Sequence, residues 1–248
     1  MKNPKSTKET VYMANCKAQF HPTKANSKLG NKKIFGVSYA PAAGLMYLKN
    51  GVLVSDCLGT CGAVDCKECS KACYAARDYR QYPSATLNRV ENTMQLREDP
   101  DKHFEDIKNY AIATGAEIIR YTESGEIEST EQLRRVVQLA RDLPNVFIYL
   151  YTKNYAALRE FFASDELPNN MVILVSIWED LGKKEYFEFS KHAGIKAFAV
   201  NSDIKVNAMC PAYKEVNGKV VRNAAMTCEK CGLCTSRKAA KIIGCLEH

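Results

Sequence analysis

Four short apolar runs in the second half of the chain constrain its fold more than any other feature. They begin at Glu117 (EIIRY), Val146 (VFIYLY), Met171 (MVILVSI) and Ile195 (IKAFAV), and successive starts lie 29, 25 and 24 positions apart. The runs are rich in β-branched residues and barely alternate with polar ones, as in strands that are buried on both faces. Strand and helix patterns that alternate at this spacing predict βαβ units and a parallel sheet.

Helical and turn signals fill the remainder of the chain. Apolar residues recur with a helical period at Leu87, Val90 and Met94, from Asp99-Pro100 onward, at Leu133, Val136, Val137 and Ala140, at Tyr155, Leu158 and Phe162, and weakly over residues 183–192. Ser129-x-x-Gln132 is a capping box. Residues 34–39 (IFGVSY) predict a first strand, and Asn50-Gly51 predicts a hairpin over residues 45–54. Five or six strands result, so we expect an α/β fold, either an open parallel sheet or a partial (β/α) barrel.

Composition divides the chain into three predicted parts. Residues 1–33 form a basic arm with eight lysines and a single acid, and such an arm could follow the phosphate backbone of a nucleic acid. Residues 34–205 form the α/β body with a cysteine loop at 57–73, and residues 206–245 form a second cysteine-rich segment. No apolar run is long enough to span a membrane or to serve as a signal peptide. We therefore expect a cytoplasmic protein whose eleven cysteines stay reduced.

The cysteines fall into two dense groups. The predicted metal ligands are Cys57, Cys61, Cys66, Cys69 and Cys73 in the first group and Cys210, Cys228, Cys231 and Cys234 in the second. The C-x2-C-x2-C run with a distant Cys-Pro is typical of iron-sulfur ligation, although here the Cys-Pro comes first. Zinc is the alternative, because Cys66-x2-Cys69 together with Cys231-x2-Cys234 provides four thiolates. Unliganded thiols are the third alternative.

Polar residues follow each predicted strand, and in parallel sheets ligands bind at these carboxyl ends. The segments concerned are residues 122–126 (TESGE), 152–154 (TKN), 178–180 (WED) and 201–203 (NSD). Lys153, Ser176 and Asn201 are expected to face one common pocket with residues 122–126. Glu123 and Glu126 could instead cap the helix that follows them.

The motifs SYAPA, C-x3-CYA, RYTESGEIES, YLYTKN and CPA followed by CEKCGLC occur in this order. On these motifs the chain resembles the cysteine-rich phage family catalogued as gene product eighty-eight, over residues 34–240. Cys69-x3-Cys73-Tyr74-Ala75 matches the second half of that family's first cysteine motif. Cys57-Leu58-Gly59 and Cys61-Gly62 compete for the first half, and both lack its proline.

That family is similar in outline to the radical SAM superfamily. The likeness implies one or two 4Fe-4S clusters, with S-adenosylmethionine held by Ser124-Gly125-Glu126 after the second strand and by Lys153, Ser176 and Asn201. It also implies a reductant protein and an unidentified substrate as partners. The superfamily's C-x3-C-x2-C order is absent, although Cys66-x2-Cys69-x3-Cys73 is its mirror.

Two other functional classes compete with a radical enzyme. A non-catalytic iron-sulfur protein would carry electrons or sense oxygen, and four-cysteine ligation of both clusters would favour it. A zinc-stabilised protein would bind nucleic acid through the lysine arm and stacked tyrosines.

Overall fold

The structure is a computed structural model that describes residues 18–23, 29, 33–41, 47–49, 52–55, 59–63, 69, 73, 75–76, 82–179 and 181–246. Its elements in chain order are β1 (Ile34–Gly36), β2 (Tyr47–Lys49), β3 (Val52–Ser55), a 3-10 turn (Thr60–Ala63), α1 (Pro83–Glu98), α2 (Pro100–Thr114), β4 (Ile118–Tyr121), α3 (Thr130–Asp142), β5 (Phe147–Thr152), α4 (Tyr155–Phe162), β6 (Met171–Trp178), α5 (Lys183–Phe189), β7 (Ile195–Val200), β8 (Ala208–Met209), β9 (Tyr213–Val216), β10 (Lys219–Arg222), α6 (Cys228–Cys231) and β11 (Ile242–Cys245).

One parallel sheet organises the described residues. Its seven strands lie in the order β1-β4-β5-β6-β7-β11-β8, and every neighbouring pair is parallel. The sheet does not close, since β1 and β8 form its two edges, so the predicted open parallel sheet is confirmed. The five predicted strands are all present. β8 and β11, which come from the C-terminal cysteine segment, were not predicted from the sequence.

The predicted local signals also appear. Asp99 caps α2 by accepting a hydrogen bond from the Lys102 N–H, and Ser129 caps α3 by accepting one from the Gln132 N–H at 3.1 Å. β2 and β3 pair antiparallel as the predicted hairpin, while its turn residues Asn50 and Gly51 lie outside the described residues. No helix in the described part of the chain is both long and apolar enough to cross a membrane.

The two faces of the sheet are covered differently. Consecutive strands from β4 to β7 are neighbours, and right-handed crossovers then place their connecting helices on one face. Leu133 of α3 and Phe161 of α4 pack there with strand residues such as Ile148 and Ile173. The opposite face, which we call the inner face, carries Tyr149, Tyr151, Val172, Leu174 and Phe198. Leu233, Cys234 and Ile243 of the C-terminal segment pack against it.

A chain of buried polar side chains crosses the helix-covered core. The Tyr39 hydroxyl donates to the Tyr121 hydroxyl at 2.5 Å and lies 2.8 Å from His103 Nε2. His103 Nδ1 lies 2.8 Å from Gln95 Oε1, so both ring nitrogens have partners. Burial lowers the pKa of His103 to about 4, although the carboxylate of Asp106 opposes that shift. The imidazole is therefore neutral at physiological pH.

The depressed pKa of His103 makes stability depend on pH. Between pH 6.5 and 4 the unfolded chain binds a proton at this site that the folded chain does not, so the free energy of unfolding should fall as pH falls through that window. The expected contribution is about 3 kcal/mol. Chemical denaturation at several pH values should show this slope in the parent, a much smaller slope in His103→Gln, and in His192→Gln a slope that is reduced by less, because burial also lowers the pKa of His192. Equal slopes in all three proteins would contradict it.

Candidate functional site

A cavity of about 200 Å³ opens at the carboxyl ends of the strands. Residues from the ends of β5, β6, β7 and β11 and from the loop after β4 line it. Five of the six residues predicted to contact a cofactor are among them: Ser124, Gly125, Glu126, Lys153 and Ser176. Asn201, the sixth, is exposed, has a left-handed backbone conformation with φ 50°, and is not a lining residue. The parallel topology thus gathers these predicted residues at one site.

The loop at residues 122–126 is fixed to the start of the first cysteine loop. The Tyr39 N–H donates to the Ser124 carbonyl at 3.0 Å, and the Ser124 hydroxyl donates back to the Tyr39 carbonyl at 2.9 Å. The Thr60 hydroxyl accepts from the Glu126 N–H at 2.8 Å, while the Thr60 N–H donates to the Ala40 carbonyl at 2.8 Å. These bonds join three segments that are far apart in the sequence.

The Glu126 carboxylate is buried against the cavity wall. Its Oε1 accepts hydrogen bonds from the Thr152 hydroxyl at 2.5 Å and the Ile127 N–H at 2.8 Å, and its Oε2 accepts one from the Lys153 N–H at 2.8 Å. Burial raises the pKa of Glu126, whereas Lys153 and these hydrogen bonds oppose the shift. A carboxylate offers about four acceptor positions. The three recorded bonds therefore leave acceptor capacity at Oε2.

Arg120 lies between this cavity and a second one, because its side chain lines both. Its Nη1 is 3.8 Å from Glu123 Oε1, and its guanidinium stands 5.3 Å from the centroid of the Tyr151 ring. Glu123 reaches this position because residue 36 is glycine, where an added Cβ would lie 2.0 Å from Glu123 Oε2. A partly buried cation, a carboxylate and an aromatic ring thus form the wall between the cavities.

Three cysteines of the first group line the larger cavity. They are Cys61, Cys69 and Cys73, each half-buried and not disulfide-bonded. Cys57 and Cys66 lie outside the described residues. Cys245 at the end of β11 lines the same cavity and was not predicted. The fold therefore brings thiols from both ends of the chain to one place.

All four cysteines of the C-terminal group line the second cavity, which has a volume of about 30 Å³. They are Cys210, Cys228, Cys231 and Cys234. The Tyr151 hydroxyl donates to Cys234 Sγ at 3.2 Å. Burial raises the pKa of Cys234 to about 11 and also raises that of Cys231. In the described part of the chain, however, no three His, Cys, Asp or Glu side chains are grouped as a metal ion would require.

The sequence analysis missed some residues of the site, although two of them could have been recognised from their positions in the sequence. Arg120 and Lys196 are charged residues inside otherwise apolar strand runs, and such residues are seldom buried without a role. Tyr151 and Phe198 resemble ordinary core residues and carried no such mark. Most of the basic arm lies outside the described residues, and Lys33 at its end pairs with Glu117. Nucleic-acid binding by the arm therefore stays a prediction.

A family model described as Gene product 88 matches residues 14–237. The chain belongs to the Gene product 88 family. The match confirms the family resemblance seen in the cysteine and strand-end motifs, and it gives no support to the radical SAM likeness. No curated protein matches the chain. The region matched to the Gene product 88 family contains every cysteine except Cys245.

Gly125 should be essential to the loop. Its φ is +82°, and an added Cβ would lie 2.5 Å from Thr60 Oγ1 and 2.8 Å from Tyr39 Cβ. Gly125→Ala should lower the free energy of unfolding by about 2–4 kcal/mol through backbone strain and overpacking. Gly218→Ala is the matched control, since Gly218 has φ +72° with nothing within 4 Å of an added Cβ. Urea denaturation should show the larger loss for Gly125→Ala, and equal losses would refute the packing argument.

Proposed function

We propose that this protein is an iron-sulfur protein in which the first cysteine group holds a 4Fe-4S cluster beside a ligand cavity and the C-terminal group holds a second metal centre. One observation carries the proposal. Cys61, Cys69 and Cys73 line the same cavity as Ser124, Gly125, Glu126, Lys153 and Ser176. Thiol donors and polar ligand-binding groups thus meet at the strand ends, where parallel α/β proteins bind their ligands.

The donor chemistry fits thiolate metal centres. The eight cysteines in the described ranges form no disulfide, and thiolate sulfur is the usual ligand of iron-sulfur clusters and of structural zinc. Cys61, Cys69 and Cys73 would hold the first centre, with Cys57 or Cys66 as a further ligand. Cys210, Cys228, Cys231 and Cys234 would hold the second. Loading either centre requires the thiols to come closer together than the structure has them.

The two cavities differ in volume, and the volume of each limits which metal centre it can hold. The first, at about 200 Å³, offers room for a cluster and a small ligand. The second, at about 30 Å³, matches a single ion better than a cuboidal cluster. Zinc is therefore the stronger candidate for the C-terminal centre. The alternative zinc site built from Cys66 and Cys69 with Cys231 and Cys234 is less favoured, because Cys69 lines the first cavity whereas Cys231 and Cys234 line the second.

Binding of S-adenosylmethionine is the second candidate function. When bound, a 4Fe-4S cluster with an open iron supplies one electron and a chelation position for the amino acid part of that cofactor. The Oε2 atom of Glu126 retains acceptor capacity for an ammonium, and Ser124 and Ser176 offer hydroxyls on the same wall. Trp178 and Phe198 provide apolar surface for a ring. A reductant protein and an unidentified substrate would complete the reaction.

Metal analysis should distinguish the two centres. Anaerobically purified protein should contain iron and acid-labile sulfide, and its visible spectrum should show thiolate-to-iron charge transfer. Cys69→Ser should lose iron while Cys231→Ser loses the second metal and melts earlier, because metal-binding energy appears as folding energy. Cys16→Ser, outside both groups, is the control. Stoichiometric zinc without iron after anaerobic reconstitution would overturn the iron-sulfur proposal.

The cofactor proposal is tested at Glu126. A charge-assisted hydrogen bond contributes about 1.5–3 kcal/mol, so Glu126→Gln should weaken S-adenosylmethionine binding about tenfold or more while the cluster spectrum is unchanged. Glu128→Gln, which changes an acid that pairs with Arg97 instead, is the matched control. Unfolding curves of both variants must accompany the titration, because Glu126 also joins two loops.

If the parent shows no binding, no change in the cluster's electron resonance signal on adding the cofactor and no 5′-deoxyadenosine after reduction, the electron-transfer or sensor function replaces this one.

A further inference from the structure

Lys196 is a charged residue in the middle of an apolar strand. It belongs to β7 between Ile195 and Ala197, and its side chain has no exposed surface. Strand residues alternate between faces, and Phe198, two positions on, packs on the inner face. Lys196 therefore points toward the C-terminal cysteine segment rather than toward the helices.

The Lys196 ammonium contacts the cysteine segment directly. Its Nζ donates hydrogen bonds to the Leu233 carbonyl and, at 3.0 Å, to the Ser236 carbonyl. These two residues stand on either side of Cys234, whose thiol lines the second cavity. Carbonyl groups orient an ammonium, but as neutral dipoles they do not cancel its charge.

Both cysteine thiols and further cations surround the Lys196 ammonium. Burial lowers the pKa of Lys196, whereas Cys234 and Cys231 favour its charged form and the neighbouring Lys241 disfavours it. The guanidinium of Arg120 lines the same cavity as these cysteines. A buried cation whose hydrogen-bond partners are neutral carbonyls is costly to leave without a compensating negative charge. Four thiolates around one divalent ion carry a net charge of about −2, which is the complement that this environment requires.

We propose that Lys196 is the built-in counter-charge of an anionic four-thiolate centre formed by Cys210, Cys228, Cys231 and Cys234. It acts as a positioning residue, since it holds the carbonyls on both sides of Cys234 and offsets the negative charge that metal loading creates. This inference rests on the proposed second metal centre. It adds that the charge of Lys196 raises the metal affinity of that centre.

A different result is expected if Lys196 acts only as a structural clamp, that is, only as a hydrogen-bond donor that holds this segment in place. A clamp needs only hydrogen-bond donors for the carbonyls of Leu233 and Ser236, so its loss would weaken the metal-free and metal-loaded proteins alike. A counter-charge stabilises the loaded state selectively, because only that state carries the thiolate charge. The difference between the two states is therefore the quantity to measure.

The experiment compares Lys196→Gln, which keeps donors but loses the charge, with Lys196→Arg, which keeps both. Lys238→Gln, which changes an exposed lysine of the same segment, is the control. Zinc affinity is measured on the metal-free full-length proteins by competition with a chelator, and Co²⁺ spectra report thiolate coordination. Lys196→Gln should weaken zinc binding at least tenfold and lower the melting temperature of the loaded protein more than that of the metal-free protein. Zinc affinities of Lys196→Arg and Lys238→Gln should stay within about threefold of the parent.

The results for the Lys196 variants test the counter-charge, and the result for the parent protein tests the second metal centre. Zinc affinity of Lys196→Gln equal to that of the parent overturns the counter-charge, and so does an equal loss of melting temperature in the loaded and metal-free states. If Lys196→Gln does not fold, a tenfold loss in Lys196→Arg likewise overturns it, because that variant retains the charge. Failure of the parent itself to bind zinc or iron at the C-terminal cysteines rejects the second metal centre, whatever the variants do.

Discussion

The inner face of the sheet needs a cover that the crossover helices cannot supply. Consecutive parallel strands with right-handed connections send every helix to the same side, so the opposite apolar surface depends on another part of the chain. Here the C-terminal cysteine segment packs on Tyr149, Val172 and Leu174. The segment that carries four candidate metal ligands is therefore also half of a hydrophobic core, so the proposed metal loading would be coupled to core packing at this face.

The carboxyl edge of the sheet depends on a second kind of constraint. Thr60, at the start of the cysteine loop, accepts from the Glu126 N–H and donates to Ala40, while Glu126 accepts from the groups that follow β5. A displacement of any one of these loops should displace the others, because Thr60 and Glu126 each form hydrogen bonds to more than one of them. Such mutual fixation suits a site that must present thiols and a carboxylate in a constant relation.

Much of the sheet could be predicted from the sequence because each strand run is long, apolar and separated by a periodic helix. β11 could not, since the residues IIGC are short and follow a basic stretch, and β8 has only two residues. The site divides in the same way. Ser124 to Glu126 and Lys153 follow strand ends and were predictable, whereas Arg120 and Lys196 lie inside strands, where sequence does not reveal which face holds the ligand. The separation of Cys69 from Cys231 into two cavities depends on packing alone.

The position of β11 between β7 and β8 gives the sheet an order of assembly. β8 precedes β11 in the chain but meets the sheet only through it, so residues 208–209 have no partner strand until residues 242–245 have inserted beside β7. The stretch from Cys210 to Cys234 thus lies in a loop whose two ends are held together by the pairing of β8 with β11. With that pairing in place, its four thiols line one small cavity although they are spread along the chain.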